Sequence, residues 1–454
     1  MKKLFLSLCA VALLAACSEQ EVIDEVQSIS DNKENVSRII SQDEAISTLM
    51  AFLEDTELPT RSGKSRTISS VSVYSKPVTR AQMEDATESP SAYLVNFDDD
   101  EGFAVLGATT DVPDIVAVVE SGHIEDDLTI VVPEEENESP DIEDEEDDEY
   151  EMDEDSLDMY CAEDGDYYSA QQAPIAVVGS LISTGLDEED PSGEGCITVR
   201  KTYTTRLPIL KTDWDQISPY NKYCQRRNLA LKIKSALAGC SNTALAMIMT
   251  AMEYPDTLII RDTVLDWQSM KMDPAIRSLS PSSQESVSLL LGYIFYNVNR
   301  ISLKKSTLIT PEQIKKLMSK MGYPNVQKLS SPSFSDEMLE AVSDMLKGGR
   351  PVFLSAIPKK LVHAHSWVVD GAKYSSTDKR QYLLHFNFGW SGKCNGYFST
   401  NCLNPVKGIQ YDNPVLYNTD PDKDYVYMQH FRLVTYDRPL DHKVMNVSFK
   451  MPEE

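Results

Sequence analysis

Between Glu134 and Asp158, seventeen of twenty-five residues are acidic and none is basic. Like charges at this density repel and cannot bury apolar area, so the run predicts a solvated, disordered spacer. It has neither the spaced ligands nor the turn glycine of a calcium loop. A chain of 454 residues is thereby divided into a smaller part before the run and a larger part after it. Without those 17 charges the formal charge of −30 falls to about −13, so most of the acidity belongs to the spacer. No basic face is left for a phosphate backbone, which excludes nucleic acid as a partner.

The first seventeen residues read as an address rather than as fold. Met1-Lys2-Lys3 is a short positive start, Leu4 to Leu14 is almost wholly apolar, and Leu14-Ala15-Ala16-Cys17 closes the segment with small residues. Those last four residues resemble a bacterial lipobox, which implies cleavage before Cys17 and lipid attachment to it. Ser18 in the next position implies passage to the outer membrane. Without that likeness the segment is an ordinary secretory signal. Residues 18–40 are polar and aperiodic, as in a tether. No later stretch reaches the roughly 18–20 consecutive apolar residues of a spanning helix.

Cysteine use fits an exported protein without suggesting a metal. Cys9 and Cys17 belong to the leader; Cys161, Cys196, Cys224, Cys240, Cys394 and Cys402 remain. No CxxC pair occurs and no zinc spacing appears, so neither metal nor cofactor is expected.

Residues 41–130 predict a small α+β unit. Ala45, Leu49, Met50 and Leu53 recur at helical spacing behind Asp43 and Glu44, giving a helix of about twelve residues. Tyr93 to Phe97, Asp98 to Gly102 and Phe103 to Gly107 read as a hairpin, and Ile115 to Val119 as a further strand. This unit offers no catalytic set. Residues 131–195 make up the linker, and residues 196–454 a larger unit in which helical patterns come first. They surround Ala244 to Met252, Val287 to Leu291, Pro311 to Gln313 and Asp336 to Leu346. Strand-like runs follow at Val352 to Ile357, Trp367 to Val369, Tyr382 to Phe388 and Tyr425 to Leu433. Helices first and strands later predict an α+β fold, its antiparallel sheet packed on the helices.

The larger unit also carries residues able to do chemistry together. In Ala238-Gly239-Cys240-Ser241-Asn242-Thr243, Gly239 permits a sharp turn and Cys240 falls in the first turn of a helix. There, free N–H groups and the helix dipole favour a thiolate. A nucleophilic thiol needs a base. His365 opens an apolar strand, fixed by a sheet and open at one end; His363, two residues earlier, is its rival. His385 reads as a packed strand residue. A metal site from His363, His365 and Cys394 lacks the usual ligand spacing. Asn387 can orient the imidazole and Trp390 can screen that bond from water. A neutral orienter suits a pair that already rests as thiolate and imidazolium. Gln216, with the Cys240 backbone N–H, supplies donors for an oxyanion.

These segments, taken in order, resemble the streptopain family of secreted, papain-like bacterial cysteine peptidases. The likeness rests on Trp214-Asp215-Gln216, Pro219-Tyr220-Asn221 with Cys224, Ala238-Gly239-Cys240, Tyr254-Pro255 and Arg350-Pro351-Val352. It continues through His365 to Gly371 and Asn387 to Gly392. It implies a papain-like domain with Cys240 as nucleophile, His365 as general base, Gln216 as oxyanion donor, and Asn387 and Trp390 as supports of the histidine. Residues 41 to about 124 resemble the family's inhibitory propeptide, through Tyr93 to Phe103. There are departures. Ala364 stands where the family usually has Gly beside the histidine, which would narrow the cleft for substrate backbone. Phe388 replaces a Trp, and Ser391 a Gly.

The expectation is an exported, lipid-anchored zymogen of a cysteine endopeptidase. It would act on protein or peptide substrates, be restrained by its own propeptide, and be held at the outer membrane or cell surface through Cys17, with release on maturation. Two other readings remain: an inactive surface lipoprotein that keeps the fold for binding, as adhesin or inhibitor, and a transferase running thioacyl chemistry onto an amine.

Overall fold

The computed structural model describes residues 38–56, 58, 65–75, 90–110, 112–126, 130–131, 203–227, 232–272, 280–298, 301–302, 307–358, 365–375, 382–400 and 427–452. The expectations for the leader, Cys17, the tether up to residue 37, the acidic spacer, His363 and Ala364 lie outside these residues, as do Cys161, Cys196 and Cys402. The last residues of the expected tether belong to the fold, Ile39 bridging to Thr109 and Ile40 buried in the N-terminal core.

The N-terminal part begins with α1 (Gln42–Thr56), three residues longer than the sequence estimate. The hairpin forms where its alternation and turn residues place it. β2 (Ala92–Phe97) runs into a short 3-10 turn at Asp98–Asp100 and returns as β3 (Phe103–Gly107). Gly102 sits at φ 105°, and a Cβ there would lie 2.0 Å from the Val119 carbonyl oxygen, so only glycine fits. β1 (Ile68–Tyr74) pairs with β2 on one side, and β4 (Ile115–Val119) with β3 on the other.

Both faces of β2, β3 and β4 are covered, which explains why these strands read as nearly continuous apolar runs. Tyr93, Val95 and Phe97 point toward Ala45, Leu49 and Phe52 of α1, while Leu94, Phe103 and Val105 join the main core. Successive side chains of a strand face opposite ways, so one hairpin serves two cores.

In the C-terminal part β5 (Tyr203–Arg206) precedes α2 (Cys240–Met252), whose residues Ser241 to Thr250 are all buried. A helix apolar on every side must be central. The short helix α3 (Trp267–Met270) and α4 (Pro281–Asn297) follow. α5 (Pro311–Met321) opens with a capping box, Thr310 and Gln313 each satisfying the other's backbone, and stops at Gly322 in the left-handed region. β6 (Gln327–Ser331) and α6 (Asp336–Lys347) lead into the strands β7 (Val352–Pro358), β8 (His365–Ser375), β9 (Tyr382–Asn387), β10 (Gly396–Ser399) and β11 (Tyr427–Thr435). This is the expected α+β fold.

The sheet does not stop where the sequence suggested a domain boundary. One eleven-stranded sheet runs β1-β2-β3-β4-β10-β9-β8-β7-β11-β6, with β5 paired to β8. The junction is the antiparallel pairing of β4 with β10: Val119 opposite Gly396, Val118 opposite Tyr397, Ala117 opposite Phe398. A Cβ on Gly396 would meet the Val118 carbonyl oxygen at 2.2 Å, so a glycine is needed for the two parts to join. Leu383 and Tyr397 extend the N-terminal core into the C-terminal part. The N-terminal part and the later part therefore share one sheet and part of a core.

Candidate active site

Cys240 is the first residue of α2, and Gly239 before it turns the chain at φ 94°. That turn is tied down from both sides. Thr243 donates its backbone N–H to the Gly239 carbonyl at 3.0 Å, and Asn242 Nδ2 donates to the Ala238 carbonyl at 2.7 Å. Ala238 N–H donates to the Gln216 carbonyl at 2.9 Å, which brings Gln216, itself buried, beside the start of the helix.

The segment holding Gln216 is locked to the loop holding Trp390. Asp215 accepts the Gln216 N–H at 2.6 Å through Oδ1 and the Ser391 hydroxyl at 2.7 Å through Oδ2. Ser391 N–H donates to the Trp214 carbonyl at 3.0 Å, and Asn395 Nδ2 donates to Asp213 Oδ1 at 3.0 Å. Three stretches distant in sequence thus form one frame.

His365 is the first residue of β8, opposite Ala356 of β7. Its neighbour Ser366 places a hydroxyl 2.9 Å from that of Ser241, the neighbour of Cys240. The imidazole lies in an aromatic box, stacked on Trp390 with centroids 4.5 Å apart and flanked by Trp367 and Phe388. Its Nε2 is 3.0 Å from the Phe388 carbonyl oxygen. A carbonyl only accepts, so this nitrogen carries the proton and Nδ1 is the basic one.

That hydrogen bond corrects one expectation. Asn387 does not orient the imidazole, because both ends of its carboxamide are used elsewhere: Nδ2 donates to Thr212 O at 2.9 Å, and Oδ1 accepts Gly389 N–H at 3.1 Å. Asn387 instead holds the turn that carries Phe388 and Trp390, and the backbone oxygen of Phe388 takes the orienting position.

The electrostatics correct a second. Burial lowers the His365 pKa to about 3, opposed only in part by the Phe388 hydrogen bond. Burial pushes the Cys240 thiol up, against hydrogen bonds from Ser366 and Ser241 that pull it down. A neutral thiol and a neutral imidazole follow, not the expected thiolate and imidazolium, because burial outweighs the hydrogen bonds that favour the charged forms. Even so, Cys240 is the partly exposed one among the described free cysteines; Cys224 and Cys394 are buried, and burial pushes the Cys394 thiol up to about 12.

The frame lies in a stretch that is similar to a known peptidase family. Residues 214–398 match the Peptidase C10 family model. The match covers less than half of the chain and takes in Gln216, Cys240, His365, Asn387 and Trp390. The likeness to streptopain carried by the motifs is met again in direct comparison. Streptopain of Streptococcus pyogenes is 34% identical over 91 residues, which is 20% of this chain and 21% of the relative. The aligned stretch therefore spans only about a fifth of the curated relatives it matches. Among solved structures, a fragment of Prevotella intermedia prointerpain A aligns with 82% of this chain and all of that one, at 16% identity and a TM-score of 0.45. Active wild-type interpain A cysteine protease from the same organism aligns with 51% of this chain and 94% of that one, at 18% identity and a TM-score of 0.36.

One cluster in this C10 region was missed in the sequence. His385, read as a packed strand residue, is buried but ionised. Its Nδ1 is 2.6 Å from Asp370 Oδ1 and its Nε2 is 3.0 Å from Glu120 Oε1. Burial opposes the charge, yet the pull of Asp370 and Glu120 and the hydrogen bonds to both outweigh it, raising the pKa to about 10. Asp370 Oδ2 also accepts the Leu210 N–H at 3.0 Å. Glu120 follows β4, so this triad ties the N-terminal part to the C10 region. The available signal was Asp370 directly after the apolar run Trp367 to Val369; Glu120, 265 residues from His385, gave none.

Proposed function

We propose that the chain is the zymogen of a cysteine endopeptidase. Cys240 is the nucleophile, His365 the general base, and Gln216 with the Cys240 N–H the oxyanion donors. The observation that carries this reading is the juncture of α2 and β8, where the residues following Cys240 and His365 share a 2.9 Å hydrogen bond. In turnover Nδ1 of His365 takes the thiol proton, sulfur attacks the scissile carbonyl, and the tetrahedral oxygen rests on the oxyanion donors. Nδ1 then protonates the leaving amine, and water activated by the same nitrogen releases the thioacyl group.

The neutral thiol and imidazole describe a resting precursor. We take residues 41–130 to be the propeptide, joined to the enzyme through the β4–β10 pairing and the Glu120–His385 contact. Cleavage in or just after the acidic spacer frees it, since exposed chain is where nicking concentrates. Hydration of the box after its departure would lift His365 back toward the ordinary histidine range. The leader adds export and lipid attachment at Cys17, holding the protein at the outer membrane or cell surface.

The test is proteolysis. Cys240→Ala should abolish casein hydrolysis and self-maturation together, a loss of about 10⁴-fold or more; a variant that still matures unaided removes Cys240 from the mechanism. For the anchor, labelled fatty acid should enter the expressed protein and fail to enter Cys17→Ala. Equal labelling of both would exclude lipidation at that residue.

A further inference from the structure

We propose that Asn395 is a positioning residue for His365, fixing the Phe388 backbone so that its carbonyl oxygen holds the imidazole in one tautomer with Nδ1 as the base. The inference deepens the proposed peptidase reading and rests on His365 being that base.

Asn395 is 1% exposed, so no solvent stands in for its partners. Its carboxamide is committed at both ends. Oδ1 accepts the Phe388 N–H at 3.0 Å, and Nδ2 donates to Asp213 Oδ1 at 3.0 Å. A backbone N–H only donates and a carboxylate only accepts, so the amide fits this place in one orientation. Asn395→Asp would lose the donor and set a second carboxylate against Asp213, while an apolar replacement would lose both bonds. The Asn395 backbone is held separately, its carbonyl accepting the Glu120 N–H at 2.9 Å. A substitution therefore removes the carboxamide without detaching the strand junction.

Phe388 lies between two rigid peptide planes. The plane after it carries the oxygen that is 3.0 Å from His365 Nε2, and the N–H of that plane, from Gly389, is accepted by Asn387 Oδ1 at 3.1 Å. The plane before it ends in the N–H that Asn395 holds. Clamping one plane leaves rotation about the Phe388 N–Cα and Cα–C bonds; clamping both leaves the carbonyl one direction. Asn387 and Asn395 together aim the acceptor that keeps the imidazole proton on Nε2. If that acceptor drifts, the proton can move to Nδ1, and a nitrogen that already carries a proton cannot take one from the thiol. No bond changes at Asn395 itself, whose action runs through Phe388. A plain loop staple would make the same two hydrogen bonds, but cutting it would leave the tautomer as it was.

The test uses the full chain with isotopically labelled histidine and Cys240→Ala as background, so that self-cleavage does not intervene. Long-range proton–nitrogen NMR spectra near neutral pH separate the two neutral tautomers, and His365→Gln identifies the His365 signals. The background should show the His365 proton on Nε2. Asn395→Ala should shift the tautomer ratio toward Nδ1–H by about fivefold, the net contribution of one hydrogen bond. Asn395→Asp keeps an acceptor for the Phe388 N–H, so its ratio should stay near that of the background even though its thermal midpoint falls as far. Lowered midpoints with an unmoved ratio in both variants overturn the proposal and leave a staple. If Asn395→Ala does not fold, Asn395→Leu, close to Asn in shape, removes the same bonds and decides the point. With Cys240 restored, Asn395→Ala should lower kcat on casein by about 10–10²-fold, as a small misplacement can, with KM nearly unchanged; an unmoved kcat also overturns the role. A wild-type chain that never cleaves casein would sink the peptidase reading alone, since the tautomer shift is read without turnover.

Discussion

Two buried histidines lie on neighbouring strands of one sheet and are driven to opposite charge states. His365 on β8 meets aromatic rings and a backbone carbonyl, and its pKa falls to about 3. His385 on β9 is equally buried but meets Asp370 and Glu120, and its pKa rises to about 10. Burial disfavours the cation at both sites; only the carboxylates differ. One site therefore keeps its imidazole neutral, and the other uses a cation to join two parts of the chain. The type of residue and its depth say little about its charge until its partners are known.

The comparison breaks hardest if His385 is removed. His385→Ala leaves Asp370 and Glu120 facing each other without a cation, which should cost about 3–5 kcal/mol of stability. His365→Ala should cost far less stability while removing turnover. Chemical denaturation of both variants checks this, and equal losses would erase the distinction.

Next in size is the pH dependence of stability, where the two histidines act with opposite sign. The pKa of His385 is raised in the fold, so its contribution is complete below the unfolded value of about 6.5 and is lost as pH climbs toward about 10. The pKa of His365 is lowered, so the fold loses stability as pH falls from about 6.5 toward about 3, where the unfolded chain binds a proton that the native site refuses. Thermal midpoints should therefore decline on both sides of neutrality. His385→Gln should flatten the alkaline limb and His365→Gln the acid limb; a variant that flattens the other limb would reverse the assignment.

The smallest effect sharpens the picture of how the N-terminal part is held. Lys373 of β8, nearly fully buried, reaches Asp55 of α1 at 2.9 Å and lies over the Phe52 ring at 4.7 Å. Asp55 is mostly exposed, so solvent screens the ion pair and Lys373→Met should change stability by no more than about 1 kcal/mol. A loss as large as that of His385→Ala would show that both bridges carry the junction equally.

Much of this was legible in sequence because it is local. The alternation of Tyr93 to Phe97 and Phe103 to Gly107, with Gly102 between, sets the hairpin. Gly239 ahead of an apolar helical run places Cys240 at a helix start, and Pro311 to Gln313 mark the start of α5. The order of short motifs marks which residues surround Cys240. The orienter was misread for a local reason too: Asn387 is the obvious polar candidate, and nothing in the chain shows that Thr212 and Gly389 occupy its carboxamide first.

The amino-acid order by itself settled most of the longer elements, the helix start that carries Cys240 and the strand that begins at His365, because capping, turn and periodicity rules act over a few neighbours. Only the folded molecule decided that β4 joins β10, that Phe388 O holds His365, and that Glu120 lies 3.0 Å from His385. Those outcomes depend on strand register and on competition among buried donors and acceptors. Such terms are settled by what is brought near in space, and a pairing across 265 residues leaves no periodicity to read.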